Sequence, residues 1–311
     1  MATVVRGRGR GRGLSSRDLA DGAVPRPGDG DSSRNSCSKQ IQDHYMDNHD
    51  NQKDYQKAPG AHKLWQHIQA AKKVSSNGSS TNSQSLTEIE DLISNLNLDI
   101  TDMELETLLE LAQNSPSDDA SIKKMAEIVY TKCVKDREFS KTGAFICDKL
   151  AAVENNGTKF RSSLLSLVQM DYKEKDRLRA ESVSKFLNSF SLMCQIFGTM
   201  RTAGGEVFKP LVGPVFECFQ LILDDKRCNT DEYECVCEQL QCIGRDLEQN
   251  DREKMDQLME KIRTKIIRDG ASPQARCSLL ELMECYCRGW KALSNDVTRF
   301  YYDTSMDILT D

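Results

Sequence analysis

The sequence predicts an all-α fold: a HEAT/armadillo-like α-solenoid of stacked antiparallel helical hairpins, preceded by a disordered N-terminal tail. Three observations carry that expectation. From Leu86 onward apolar residues recur at helical spacing, and no alternating β-branched run reads as a strand. The periodic stretches are separated by short clusters of Gly, Pro, Asn and Asp, which force successive helices to lie antiparallel. Residues 1–85, in contrast, are rich in Gly, Pro, Ser and Asn and poor in aliphatics, the composition of a chain that cannot bury a core. No fixed-length repeat is visible, so the solenoid reading rests on paired helix lengths and loop lengths.

Charge divides the chain at the same place. Residues 1–85 carry 13 Lys/Arg against 8 Asp/Glu, so in a protein of net charge -6 the remainder stands at -11. A basic tail before an acidic domain places nucleic-acid contact at the tail. There Arg6, Arg8, Arg10 and Arg12 alternate with Gly, presenting planar guanidiniums to phosphates and bases on a pliant backbone, or forming a merely solvated charge run. A second island, His62 to Lys73, sets Leu64, Trp65 and Ile68 on one helical face. It suits docking into a partner's groove or folding back on its own domain.

The helical elements then follow in order. Leu86 to Asn97 and Met103 to Gln113 read as short helices, and Ser117-Asp118-Asp119 caps a longer one carrying Ile122, Met125, Ile128, Val129 and Cys133. A helix from Ser140 to Val153 ends at Asn155-Asn156-Gly157. Thr158 caps a helix to about Arg179 that begins apolar and turns strongly charged, so its second half is expected to be exposed. Val183 to Met200 is apolar nearly all round, the mark of a central buried helix. After Gly204-Gly205 the chain resumes at Val207, with a helix expected from about Pro214 because Pro fits the first turn. Asp231 to Gln249, Arg252 to Arg268 and Pro273 to Gly289 complete a set of about ten helices.

The chemistry-bearing residues argue against catalysis. All four histidines, His44, His49, His62 and His67, fall in the tail, which leaves the helical domain no imidazole for proton transfer or metal ligation. Twelve cysteines lie mostly among helical apolar residues, Cys242 included, as free thiols in a reducing compartment: cytosol or nucleus. The Arg-rich start raises a mitochondrial presequence, but Gly breaks any amphipathic helix there. Cys235/Cys237 and Cys285/Cys287 are poor zinc chelators, because Cys-x-Cys on a helix points its thiols about 200° apart. No cofactor, metal or catalytic residue is therefore assigned, and no apolar run suggests a membrane span.

Several stretches resemble the middle domain of initiation factor 4G: Gly157-Thr158-Lys159-Phe160-Arg161-Ser162-Ser163-Leu164-Leu165, Phe197-Gly198-Thr199-Met200-Arg201 and Gly205-Glu206-Val207-Phe208-Lys209-Pro210-Leu211-Val212. With Leu279 to Glu284, Trp290 and Phe300-Tyr301-Tyr302, the likeness extends over roughly Met103 to Leu309. It is nearest to two branches of that family, the cap-binding-complex-dependent translation initiation factors and the small middle-domain partners of histone stem-loop-binding protein. The resemblance implies a HEAT-like helical crescent and an adaptor role in translation initiation. It also implies partners among mRNA, helicase or factor 3 subunits, and the nuclear cap-binding complex or histone stem-loop-binding protein. The poly(A)-binding-protein docking peptide is missing, and Arg177 stands where a cap-binding-protein docking peptide at Tyr172 needs Leu.

What remains is surface. The mixed-sign run Asp171 to Arg179 reads as a solvated helix face. Lys261, Lys265 and Arg268 fall at i, i+4 and i+7 and predict a basic stripe for RNA or an acidic partner. Trp290 is either part of a terminal cap or a docking anchor, which its solvent exposure distinguishes. The sequence thus predicts an adaptor regulating translation initiation, in the cytoplasm and extending to the nucleus or perinuclear region; the alternative is a nuclear RNA-processing scaffold.

Overall fold

The computed structural model describes residues 81–115, 118–152, 157–202, 204–268 and 271–310. The Arg-Gly repeat, the segment carrying Leu64, Trp65 and Ile68, and all four histidines lie outside the described residues. Within them there are twelve α-helices and no strand, against the ten or so helices expected. They are α1 (Thr81–Asn95), α2 (Asp102–Asn114), α3 (Asp119–Lys135), α4 (Ser140–Ala151), α5 (Gly157–Lys173) and α6 (Lys175–Glu181), followed by α7 (Val183–Thr199), α8 (Val212–Asp224), α9 (Thr230–Asn250), α10 (Arg252–Ile267), α11 (Pro273–Cys287) and α12 (Asn295–Thr310).

Local chemistry explains where they start. Asp118 caps α3, its carboxylate accepting from the amides of Ala120 and Ser121. Thr101 with Glu104, and Asn229 with Glu232, form reciprocal capping boxes on α2 and α9. Helix α8 begins at Val212, earlier than Pro214, with Pro214 inside the first turn, where a missing N–H costs nothing. Helix α11 ends in a Schellman motif: Gly289 at φ 67° donates to Tyr286 O and Trp290 to Cys285 O, both at 2.9 Å. The helix expected from Thr158 to Arg179 is two, because the chain breaks at Glu174 and restarts as α6.

Successive helices pair as hairpins, α1/α2, α3/α4, α5/α7, α8/α9 and α10/α11, and the hairpins stack in two layers. One layer runs through α2, α4, α7, α9 and α11, the other through α1, α3 and α5 and through α8 and α10, with Tyr172 of α5 donating to Glu217 of α8 between them, and α12 packs against α11. The stack writes a period into the contacts that the sequence does not display: Ser191–Cys235, Gln195–Gln239 and Arg245–Gly289 each join residues 44 apart. Helix α7 is the centre. Phe186, Phe190, Ile196 and Phe197 are buried, and Phe190 meets Phe219 of α8 edge-on at 4.9 Å.

Candidate partner-docking surfaces

The predicted basic stripe does not form as one exposed row. In α10 the residues Met255, Leu258, Met259 and Ile262 face the core, and Lys265 follows in the same register, seven after Leu258 and three after Ile262. It is 4 % exposed, and its ammonium donates to Asp225 O at 3.2 Å. Lys261 pairs with the Asp224 carboxylate. Both amines therefore serve the C-terminus of α8, where positive charge is favoured by the helix dipole. Arg268 alone of the three is exposed.

The charged run from Asp171 is likewise only partly solvent-facing. Arg177 does pair locally, with Glu174 and Glu181 at 2.8 Å. Asp171, however, accepts from Tyr130 of α3 and, at 2.7 Å, from Ser189 of α7. Burial first, and that carboxylate second, push the Tyr130 phenol far above its ordinary value, so it stays a donor. Arg179 reaches Glu232 at 2.7 Å and Asp225 at 3.0 Å, and Glu232 is 2 % exposed. The break at Glu174 is what gives α6 the direction that lets Arg179 tie α8 to α9. This is a buried, hydrogen-bonded charge pair, costly to break from either side.

Trp290 is not an exposed anchor. It is 7 % exposed, its indole N–H donates to Glu248 at 2.8 Å, and its ring lies on Gly244, where a Cβ would stand 2.4 Å from ring carbons. It locks α11 to α9. The aromatic run beyond it divides: Tyr301 turns inward and donates to Glu284, while Phe300 and Tyr302 are 61 % and 64 % exposed.

Most of the described thiols are packed in the core. Burial pushes Cys147, Cys194 and Cys237 well above the ordinary thiol value, and Cys235 is engaged with Ser191 at 3.3 Å. Cys242 is exposed, against expectation, because it falls between the buried register of Leu240, Ile243 and Leu247. Among the described residues no cluster of three or more His, Cys, Asp or Glu side chains is arranged to hold a metal, and no helix is long and apolar enough to cross a membrane.

Two surfaces escaped the sequence reading. One is acidic: Glu234 and Glu238 on α9 and Glu281 and Glu284 on α11 lie on adjacent packed helices. Burial, then Glu284, pushes the Glu281 carboxyl up. The i, i+4 and i, i+3 spacings were visible, but the adjacency of α9 and α11 was not. The other is the exposed apolar side of α12: the final aromatics stood as a terminal cap or a docking patch, with no helix of their own to order them.

The comparisons with known proteins agree with this architecture. The model of the MIF4G domain matches residues 86–285. The chain is 33 % identical over 230 residues to the CBP80/20-dependent translation initiation factor of Xenopus tropicalis, a match covering 74 % of this chain and 39 % of that protein. It is 30 % identical over 211 residues to MIF4G domain-containing protein B of Danio rerio, covering 66 % of this chain and 94 % of that one. The human MIF4G domain-containing protein matches at 29 % over 211 residues, again 94 % of its length. The chain thus spans well under half of the first relative and nearly all of the other two. A family model matched across most of the stacked hairpins, on relatives alike in the same region, means that the chain belongs to the MIF4G domain family.

Proposed function

We propose that the solenoid is a non-catalytic adaptor in mRNA translation initiation. Its described surfaces would bind initiation-factor subunits and either the nuclear cap-binding complex or histone stem-loop-binding protein, while the Arg-Gly tail holds mRNA nearby. The supporting observation is where the polar groups go. Buried Asn188, Gln195, Gln239, Glu232 and Lys265 each make a hydrogen bond that joins one helix to another, so they fix a rigid stack and leave function to the exposed faces. The name of the Xenopus tropicalis relative supports translation as the setting. The reading places the protein in the cytoplasm, extending to the nucleus or its periphery.

Affinity capture of the full chain from cytoplasmic and nuclear extracts, read by mass spectrometry, tests it. Initiation factors or cap-binding subunits are the expected recoveries; splicing proteins alone would favour the nuclear scaffold and sink the adaptor. The RNA half is tested by deleting residues 1–80, which spares α1. Affinity for mRNA should fall at least about tenfold, and the salt dependence should flatten as phosphate contacts are lost. Unchanged RNA binding would remove the tail from the mechanism.

A further inference from the structure

Helix α12 packs on α11 and turns a partly apolar side outward. Among the described residues nine large hydrophobic side chains are exposed, and four of them, Phe300, Tyr302, Met306 and Leu309, belong to this helix. Its inner side is fixed by contacts with α11: Cys277 Sγ donates to Tyr301 O, Gln274 to Ser305, and Tyr301 to Glu284. Tyr302, Met306 and Leu309, at i, i+4 and i+7, share a stripe that turns away from those contacts. Asp296, Asp303 and Asp307 run along the edge of that stripe, with Arg299 pairing Asp303 at 3.5 Å. An apolar stripe edged by carboxylates fits a short amphipathic helix edged by amines.

The chain carries a segment of that chemistry. Between His62 and Lys73 it has Leu64, Trp65 and Ile68 at helical spacing, Lys63, Lys72 and Lys73 beside them in sequence, and no acidic residue. We propose that the exposed stripe of α12 is the docking site for this segment of a second copy of the chain. The segment leads into α1, at the end of the stack opposite α12, so a head-to-tail contact between two copies brings it to a neighbour's stripe. Such a head-to-tail contact is heterologous, so it closes into a ring or continues into longer assemblies as concentration rises.

The test uses the full chain with Trp65→Ala as receptor, so that its own segment does not compete, and a fluorescein-labelled peptide of residues 60–75 as probe. Saturable binding is expected in fluorescence anisotropy, weakened at least about tenfold by adding Tyr302→Ser and Leu309→Ser, both exposed positions whose melting should be unchanged. Sedimentation of the wild type over about 1–100 µM should show mass rising with concentration, and that rise should vanish with Trp65→Ala. Equal peptide binding by both receptors would move the site elsewhere. No saturable binding, or a wild type that stays monomeric throughout, would overturn the proposal.

Discussion

At the level of single residues, the contact between Trp290 and Gly244 makes a sharp case because each side chain forbids a change in the other. Gly244 sits in the middle of α9, where Ala would ordinarily be favoured by up to about 1 kcal/mol. The indole occupies the space a Cβ would need, so Gly244→Ala should instead destabilise by about 1–3 kcal/mol through overpacking. Trp290→Ala should cost about 3–5 kcal/mol and leave the Glu248 carboxylate without its donor. In the double variant the added methyl meets no ring, and the Gly244→Ala penalty should disappear or reverse. Urea unfolding of the four proteins measures the coupling; simple additivity would mean that the two residues do not compete for one volume. A second residue-level prediction follows from Glu281, whose pKa is raised above 4.5 by burial and then by Glu284. An acid with a raised folded pKa destabilises while ionised: the penalty is full above the folded value and gone below the unfolded one. Glu281→Gln should therefore stabilise near neutrality, and the gain should fade as pH drops through the folded pKa toward about 4. A gain that persists at the acid end would assign it to packing.

Between elements, the joints are polar as well as apolar. Gln195 of α7 donates to Gln239 of α9 at 2.8 Å, both nearly buried. Gln239→Leu alone strands a buried amide and should cost about 1–3 kcal/mol, whereas Gln195→Leu with Gln239→Leu replaces both partners and should come near neutral. Equal cost for single and double variants in thermal melts would show that the pair contributes by shape, not by hydrogen bonding. These joints also show why only part of the molecule could be read from sequence. Periodicity located α7 to within a residue, and the capping carboxylate of Asp118 located the start of α3, because both signals are local. The basic stripe misled because spacing alone ranks Lys261, Lys265 and Arg268 as equals. Extending the apolar register Leu258–Ile262 would have put Lys265 inside, but its acceptor, Asp225 O, is 40 residues away and unpredictable from α10. The break at Glu174 left no Gly or Pro to announce it, and the role of Arg179 depended on it.

For the molecule as a whole, stacking in one dimension means that stability is graded by position and not shared evenly. A helix in such an array is held by its own hairpin partner and its immediate neighbours, so ends open before the middle. Helix α7 packs against α3, α4, α5, α6, α8 and α9, and its residues from Phe186 to Phe197 are almost all buried. Helix α12 packs against α11 and has no fully buried residue. Amide exchange should accordingly be fastest in α12, intermediate in α1 and α10, and slowest in α7, whose protection should approach the global unfolding free energy. The same gradient separates two variants that look alike on paper. Phe190→Ala, at the α7–α8 contact, should cost about 3–5 kcal/mol and lower protection along the entire stack. Stopping the chain after Ser294 removes α12 and should raise exchange in α11 while leaving α7 amides close to their original rates. Uniform exchange across the twelve helices, or loss of α7 protection on removing α12, would mean that the solenoid unfolds as a single block, and the repeat-by-repeat account of its stability would fail.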